Sequence, residues 1–291
     1  MRRIAPVLAL SFLSLAGLTL LVFFFRGQIP LWRALLLRYA ILIGLLFVLR
    51  MYSDRKTLGR KGALFYHFSP ILFIALIYDS LGDFIQYLHR DIDPLLIRID
   101  FVTFGVHPTV WMERWIVPWL TDIMSLAYVS YYFIPVTLIV VLYGRDRMAE
   151  FEMSVFVLTF GYYLSFVGYI LFPAIGPRFT LVHLQTVPLE GSLFTDLVRD
   201  GLNALEHNKR DCMPSGHTQI VLMVLYLAHR YERLLFYIFL PVICGLILST
   251  LYLRYHYVVD LLAGGAVAVA CIMAGPRLYG GWNSLFQAAR S

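Results

Sequence analysis

The chain alternates between long apolar runs and short polar connections. Eight runs approach or reach the roughly 20 residues that an α-helix needs to cross a bilayer. They cover 4–25, 31–49, 64–88, 119–143, 152–172, 215–230, 235–253 and 257–275. We therefore predict an all-α fold, a polytopic membrane helical bundle. The first run is longer than the apolar part of a signal peptide and lacks a small-x-small cleavage site, which favours a retained helix.

The composition indicates a membrane protein. Hydrophobic residues make up 60% of the 291 positions and charged residues only 14%, whereas soluble domains have roughly 45–50% and 25%. The three cysteines, Cys212, Cys244 and Cys271, form neither a disulfide framework nor a zinc-ligand spacing. The net charge of +6 comes from basic residues that cluster at helix ends, so we predict no nucleic-acid partner.

The positions of the basic residues predict the orientation. With eight spans, one side of the membrane receives Arg2, Arg3, Arg50, Arg55, Lys56, Arg60, Lys61, Arg145, Arg147, Arg230, Arg233 and Arg277. Positive residues favour the cytoplasmic side. We expect a multi-pass protein of the plasma (inner) membrane with both termini in the cytoplasm. The connections 26–30, 89–118, 173–214 and 254–256 would then face the periplasm or exterior.

One of these exterior connections, 89–118, is not a plain loop. Apolar residues, including Trp111 and Trp115, alternate irregularly with charged ones. This mixture is typical of short amphipathic helices in the headgroup layer. The segment is either an interfacial anchor or a wall of a lipid-access site. Asp79 and Asp83, which precede it, are further candidates for substrate choice.

Two polar motifs lie at the edges of apolar runs on the predicted exterior side. In the first, His256 and Asp260 are four residues apart and share one helix face. A carboxylate on one imidazole nitrogen fixes the tautomer and leaves the other nitrogen free to attack phosphorus. The alternative is an interfacial histidine beside an aspartate that complements a helix N-terminus.

The second motif, Pro214-Ser215-Gly216-His217, opens another helix. Ser215 is suited to cap that helix, and Gly216 would let a ligand approach the backbone closely. Exposed N–H groups at a helix start bind anions, so Ser215 and Gly216 are candidates for binding the substrate phosphate. His217 could protonate a leaving oxygen. The alternative is an ordinary capped helix start.

Positive residues accompany both motifs on the same side of the membrane. They are Arg178, Lys209, Arg210 and Arg254. Guanidinium groups suit the charge of a phosphoryl transition state, so these residues are candidates for binding the substrate phosphate. The alternatives are solvated loop charges and interfacial anchors. Together the residues predict phosphoryl transfer without a metal or another cofactor.

These motifs resemble the type 2 phosphatidic acid phosphatase (PAP2) superfamily. The family pattern is Lys-x6-Arg-Pro, then Pro-Ser-Gly-His, then Ser-Arg-x5-His-x3-Asp. The second motif is matched in full, and the third is matched by His256 and Asp260. The resemblance implies that His256 is the nucleophile, that Asp260 orients it, and that His217 is the general acid and base.

The resemblance also implies a metal-free core of six helices. In this chain the core would occupy about residues 64–275, including the interfacial segment 89–118. A pair of transmembrane helices within 1–50 would precede it, and a cytoplasmic tail at 276–291 would follow.

The sequence departs from the family pattern in two motifs. Thr250 stands where the third motif has arginine, and an arginine appears instead at Arg254, which we expect to contact the reacting phosphate. In the first motif, Leu171 occupies the lysine position before Arg178, and Phe179 replaces proline. Both departures resemble the Aur1-like branch, which is related to inositol phosphorylceramide synthase.

The functional prediction is a membrane lipid phosphatase or phosphotransferase. It would act without a metal on a lipid phosphate or phosphodiester, through a phosphohistidine. An alternative is a headgroup transferase that uses a lipid alcohol as acceptor. Two further alternatives are a non-catalytic lipid transporter, against which the intact histidines argue, and a metal hydrolase with two histidines and an aspartate as ligands.

Overall fold

The computed structural model of the chain describes residues 5–51, 59–205 and 207–288. Within these ranges the protein is all-α and has no β-strand. The α-helices are α1 (Pro6–Phe24), α2 (Trp32–Met51), α3 (Arg60–Leu81), α4 (Asp93–Phe104), α5 (Pro108–Trp111), α6 (Pro118–Val129), α7 (Phe133–Gly144), α8 (Met148–Leu171), α9 (Pro177–Thr180), α10 (Thr195–Leu205), α11 (Gly216–Tyr231), α12 (Arg233–Tyr252) and α13 (Val258–Ala288). The prediction of a helical bundle is confirmed.

Among the described residues, seven helical segments are long and apolar enough to cross a membrane. They are Pro6–Phe24, Trp32–Met51, Lys61–Tyr87, Pro118–Gly144, Met148–Leu171, Arg233–Tyr252 and Val258–Trp282. The remaining predicted span, 215–230, is α11, which has only 16 residues. The orientation stays a prediction, and four residues on which it rests, Arg2, Arg3, Arg55 and Lys56, lie outside the described residues.

Two predicted spans have different ends or shapes in the structure. The span 119–143 consists of α6 and α7, which are separated by a 3-10 turn at Ser130–Tyr132. Pro135, near the start of α7, has no N–H to donate to that turn. The predicted tail at 276–291 is instead helical as far as Ala288, because α13 continues through Pro276. A cytoplasmic location for 276–291 stays a prediction.

Helix α11 lies at the centre of the bundle. It packs against α7, α8, α12 and α13. Ile220, Met223 and Val224 of α11 are fully buried within the largest apolar core. A helix surrounded by other helices needs apolar residues on nearly all sides, which explains why its sequence looks like a membrane span despite its length.

The N-terminal helices α1 and α2 form a second apolar core with α3 and α8. Leu15, Tyr39 and Phe73 are fully buried in it. The N-terminal pair is thus attached to the remaining helices by close packing. The proposed division at about residues 50 and 64 stays a prediction.

The segment 89–118 forms α4, α5 and a 3-10 turn at Met112–Trp115. The expected short helices are confirmed. Helix α4 packs against α13 and α9, so this segment lies beside the helix that carries Asp260 and the short helix that carries Arg178.

Candidate active site

The start of α11 is built as its sequence predicted. Ser215 is the N-cap, and its hydroxyl oxygen accepts a hydrogen bond from the Thr218 N–H at 3.3 Å. The Ser215 N–H donates to the Asp260 carbonyl at 3.1 Å. Gly264 allows this approach, since a Cβ there would lie 2.4 Å from the Ser215 carbonyl oxygen. The two motifs are therefore joined directly.

Gly216 has a packing role that the sequence did not predict. A Cβ at this position would lie 2.1 Å from the Tyr169 hydroxyl oxygen. The position that a Cβ would take is thus filled by Tyr169 of α8, and phosphate binding at Gly216 stays a prediction. Glycine is needed at 216 because α8 and α11 pack closely at this point.

A tight turn at the end of α12 positions His256. The Arg254 N–H donates to the Leu251 carbonyl at 3.0 Å, and the Tyr255 N–H donates to the Thr250 carbonyl at 2.9 Å. This is the Schellman pattern that ends many helices, and it requires a left-handed residue, usually glycine. Here that residue is Arg254, with φ of 65°.

The hydrogen bonds of His256 define its tautomer. Its Nδ1 lies 3.0 Å from the Cys212 carbonyl oxygen and 3.6 Å from Asp260 Oδ2. A carbonyl can only accept, so Nδ1 carries the proton. The lone pair is then on Nε2, which lies 3.3 Å from Nδ1 of His217. The nitrogen that the sequence predicts as nucleophile therefore points at the predicted acid and base.

Asp260 is fully buried and lies beside both His256 and Cys212. Asp260 Oδ2 accepts hydrogen bonds from the Tyr257 N–H at 2.9 Å and the Cys212 thiol at 2.7 Å. Burial raises the pKa of the Cys212 thiol, and the neighbouring Asp260 raises it further, so the thiol is the donor. Sequence analysis missed Cys212, which supplies both a carbonyl and a thiol to the site.

His217 lies between two aromatic rings. The ring centroids of Tyr128 and Tyr131 are 4.6 and 4.3 Å from that of its imidazole. Tyr255 stacks on the far side of Tyr128, at 4.5 Å. The buried Nε2 of His217 has no hydrogen-bond partner among the described residues. The rings fix the plane of the imidazole and leave this nitrogen for a ligand.

Two of the predicted phosphate-binding residues lie together beside this aromatic stack. Arg178 donates to the Tyr255 hydroxyl at 3.1 Å. The guanidinium of Arg178 and the ammonium of Lys209 lie 5.6 and 5.7 Å from the ring centroid of Phe179. Phe179, which replaces the family proline, thus helps to bring the two cations close to each other.

The other two predicted phosphate-binding residues are bound to carboxylates. Arg210 makes a two-point contact with Asp91, at 2.7 and 3.1 Å. Arg254 is buried, and its Nη2 lies 2.7 Å from Glu113 Oε1. Arg254 also donates to Gln185 at 3.3 Å. In this structure the Arg254 guanidinium therefore stabilises the segment around Gln185, and phosphate binding by Arg210 and Arg254 stays a prediction.

Two aspartates of α4 support the site, and sequence analysis gave them no such role. Both oxygens of Asp100 accept from the first N–H groups of α13, at Val258 (2.8 Å) and Val259 (3.0 Å). Asp93 accepts from Gly176 N–H and the Tyr257 hydroxyl, at 2.9 and 2.8 Å. The signal in the sequence was the occurrence of acids in an interfacial segment rich in apolar residues.

The remaining candidates lie further out. Asp79 pairs with Arg38 at 2.9 Å, and Asp83 contacts His207 at 3.0 Å. Among the described residues, one group of metal-ligating side chains occurs at the site: ligand atoms of Cys212, His256 and Asp260 lie within 4.8 Å of one another. The alternative of a metal hydrolase is therefore tested by measuring activity in the presence of chelators.

Comparisons with known proteins agree with this arrangement. The sequence profile of the PAP2 superfamily matches residues 96–274. A PA-phosphatase related-family protein of Dictyostelium discoideum is 29% identical over 177 residues, which are 53% of this chain and 32% of the relative. The chain thus spans about a third of that relative's length. No solved structure matches the chain. Because the profile covers more than half of the sequence, including both histidine motifs, the chain belongs to the PAP2 superfamily.

Proposed function

We propose that the protein is a membrane phosphatase or phosphotransferase that transfers the phosphoryl group of a lipid phosphate through a phosphohistidine on His256. Superfamily membership supports a phosphatase-type activity on lipid phosphates in general. The observation that carries the proposal is the geometry of His256. Its Nδ1 proton is held by the Cys212 carbonyl at 3.0 Å, and its Nε2 faces His217 at 3.3 Å.

In the first step, Nε2 of His256 attacks phosphorus and the bond from phosphorus to the lipid oxygen breaks. His217, protonated beside the negatively charged phosphate, gives its proton to the departing oxygen. The substrate phosphate must displace the His217–His256 contact, because His217 Nδ1 lies against the same His256 Nε2 that attacks phosphorus. Asp260 stabilises the positive charge that develops on His256.

In the second step, water attacks phosphorus, His217 takes the proton from water, and the bond from phosphorus to His256 breaks. Inorganic phosphate leaves, and His256 returns to its neutral form. Arg178 and Lys209 are the cations best placed to bind the phosphate. Arg178 donates to the hydroxyl of Tyr255, whose ring stacks on Tyr128 next to His217. Lys209 and Arg178 both lie near the ring of Phe179.

The proposal is tested with purified protein and a lipid labelled at phosphorus. The wild type should release phosphate and, after a rapid quench in alkali, carry an acid-labile label. His256→Ala should lose at least the 10²–10⁴-fold that an acid–base group alone typically contributes. His183→Ala, which changes an exposed histidine outside the site, is the matched control. Wild-type turnover by folded His256→Ala would refute the mechanism.

A second candidate function is transfer to a lipid alcohol. The observation that favours it is a largely apolar cavity of about 360 Å³ that reaches His217 between α3, α7 and α8. An alcohol that binds there could replace water in the second step. Adding a long-chain alcohol should then yield its phosphate ester at the expense of free phosphate, and a product mixture unaffected by alcohol would exclude the transferase.

A further inference from the structure

The polarity of helix α4 is the reverse of that of a helix on a water-exposed surface. Its two acidic residues, Asp93 and Asp100, are buried, each only 2% exposed. Leu95, Ile99 and Val102 follow one another at intervals of four and three residues on another face of the helix. All three are exposed, Val102 by 74%. A helix beside water buries its apolar face and exposes its polar face, so the exposed face of α4 fits an apolar medium.

Helix α4 is too short to cross a membrane. Its 12 residues extend about 18 Å, whereas the hydrocarbon core of a bilayer is about 30 Å thick. The helix packs against α13, which exposes Leu262 near its start. The chain then runs on into α6, which begins with the exposed Trp119. The apolar face of α4 thus adjoins two of the segments that are long and apolar enough to cross the membrane.

The charges of the segment 93–119 are distributed as contact with phospholipid requires. The structure describes every residue of this segment. Its acidic residues are all buried, whereas its two basic residues, Arg98 and Arg114, are exposed. Exposed cations suit the phosphates of lipid headgroups. The guanidinium of Arg114 also lies 4.3 Å from the ring centroid of Trp111, and tryptophan is enriched at the membrane–water interface.

The buried face of α4 binds chain segments that carry the candidate site. Asp100 accepts a hydrogen bond from the Val258 N–H, two residues after His256, at 2.8 Å. Asp93 accepts one from the Gly176 N–H, in the connection that leads to α9, at 2.9 Å. A displacement of α4 would therefore disturb two segments of the site at once.

We propose that α4 is inserted in the bilayer and that the bulk lipid of the membrane covers its exposed face. The apolar residues of that face lie among the acyl chains, and Arg98 and Arg114 lie at the phospholipid headgroups. The bilayer then holds α4 in place, and α4 holds the turn that carries His256. The lipid contact is independent of the proposed function, whereas its effect on turnover rests on that function.

The lipid contact is tested with a nitroxide spin label at residue 102 in nanodiscs of phosphatidylcholine and phosphatidylglycerol. The label is attached to Val102→Cys in a Cys244→Ser background, because Cys244 is exposed whereas the other two cysteines are buried. Collisions with oxygen, which enters the acyl region, are compared with collisions with a nickel chelate, which stays in water. The matched control is Asp200→Cys in the same background, at an exposed position of the short helix α10.

The oxygen-to-nickel collision ratio should be several-fold higher at residue 102 than at residue 200. Equal ratios would place the face of α4 in water and overturn the inference. Low collision rates with both reagents at residue 102 would show that protein covers the face. Magnetic broadening between labels would identify that protein as a second copy of the chain, and either result would also overturn the inference.

The effect on the site is tested by Val102→Glu, which alters an exposed side chain. The matched control is Leu197→Glu on α10, since both side chains are apolar and both residues are 74% exposed. In nanodiscs, Val102→Glu should lower kcat for a lipid phosphate at least several-fold, and Leu197→Glu should keep the wild-type value. An unchanged kcat in Val102→Glu, or an equal loss in Leu197→Glu, would show that the site does not depend on the lipid contact of α4.

Two further measurements keep the test decisive. If Val102→Glu does not fold, Val102→Asn introduces a polar side chain without the charge and should lower kcat in the same direction. If the wild type turns over no lipid phosphate, the proposed function fails, and the collision ratios still decide whether α4 lies in the bilayer.

Discussion

The pairing of Arg254 with Glu113 makes a prediction that separates two roles for this arginine. From the sequence we expected it at the reacting phosphate, whereas the structure places its guanidinium on Glu113 at 2.7 Å. If Arg254 acts by holding the His256 turn, loss of either partner should lower stability and turnover together. Arg254→Gly is the suitable perturbation, since glycine accepts the left-handed backbone at this position.

The expected magnitude follows from burial and backbone strain. The side chains of Arg254 and Glu113 are only 7% and 9% exposed, and removing one partner of a buried pair costs about 3–5 kcal/mol. Glycine relieves about 1 kcal/mol of left-handed strain that an L-residue carries. Arg254→Gly should therefore lower the free energy of unfolding by about 2–4 kcal/mol, and Arg254→Ala by about 1 kcal/mol more.

The assay is a double-mutant cycle. Unfolding in detergent micelles is measured for Arg254→Gly, for Glu113→Gln and for the double variant, alongside kcat and KM for a lipid phosphate. We expect the double variant to be less destabilised than the sum of the single variants, with a coupling of about 1–3 kcal/mol.

A different pattern would refute the reasoning. If Glu113→Gln changes neither stability nor turnover, while Arg254→Gly raises KM for the phosphorylated substrate at unchanged stability, Arg254 is a phosphate ligand. The contact with Glu113 would then have no measurable part in placing His256.

Three further predictions concern other contacts. Gly216→Ala should greatly reduce folding yield and turnover because its methyl group meets the Tyr169 hydroxyl; adding Tyr169→Phe should restore part of both, and no restoration would show that another contact excludes the methyl group. Asp100→Ala should lower the free energy of unfolding by about 1–2 kcal/mol, because two N–H groups of α13 lose their acceptor; a melt in detergent that matches the wild type would contradict this. A membrane-impermeant thiol reagent should label a cysteine placed at Ser192 but not one at Asp146 in intact cells, relative to the unsubstituted protein; the reverse labelling would invert the predicted orientation.

Sequence analysis was most successful where the signal is local. Long apolar runs predicted helices because the spacing and length of such runs depend only on neighbouring residues. The pairing of His256 with Asp260 is a four-residue spacing on one helix, and the Ser215 cap lies within one turn. All of these appear in the structure within a few residues of where the pattern places them.

The contacts that could not be predicted join distant parts of the chain. Asp100 binds α13 across 158 positions, and Glu113 meets Arg254 across 141. A carboxylate in an interfacial segment has many possible partners, and hydrophobic periodicity does not select among them. The packing role of Gly216 was not predicted for the same reason, since the atom that requires glycine belongs to Tyr169 on another helix.

The position of α4 in the sequence affects the order in which the parts of the candidate active site are synthesised. Chains emerge N-terminus first, so Asp93 and Asp100 leave the ribosome before the partners they bind at Gly176, Tyr257 and Val258. The two acceptors are therefore synthesised before the donor groups that they bind. Helix α13 brings the N–H groups of Val258 and Val259, which bind Asp100, so a nascent chain completes this centre only after α13 has been synthesised.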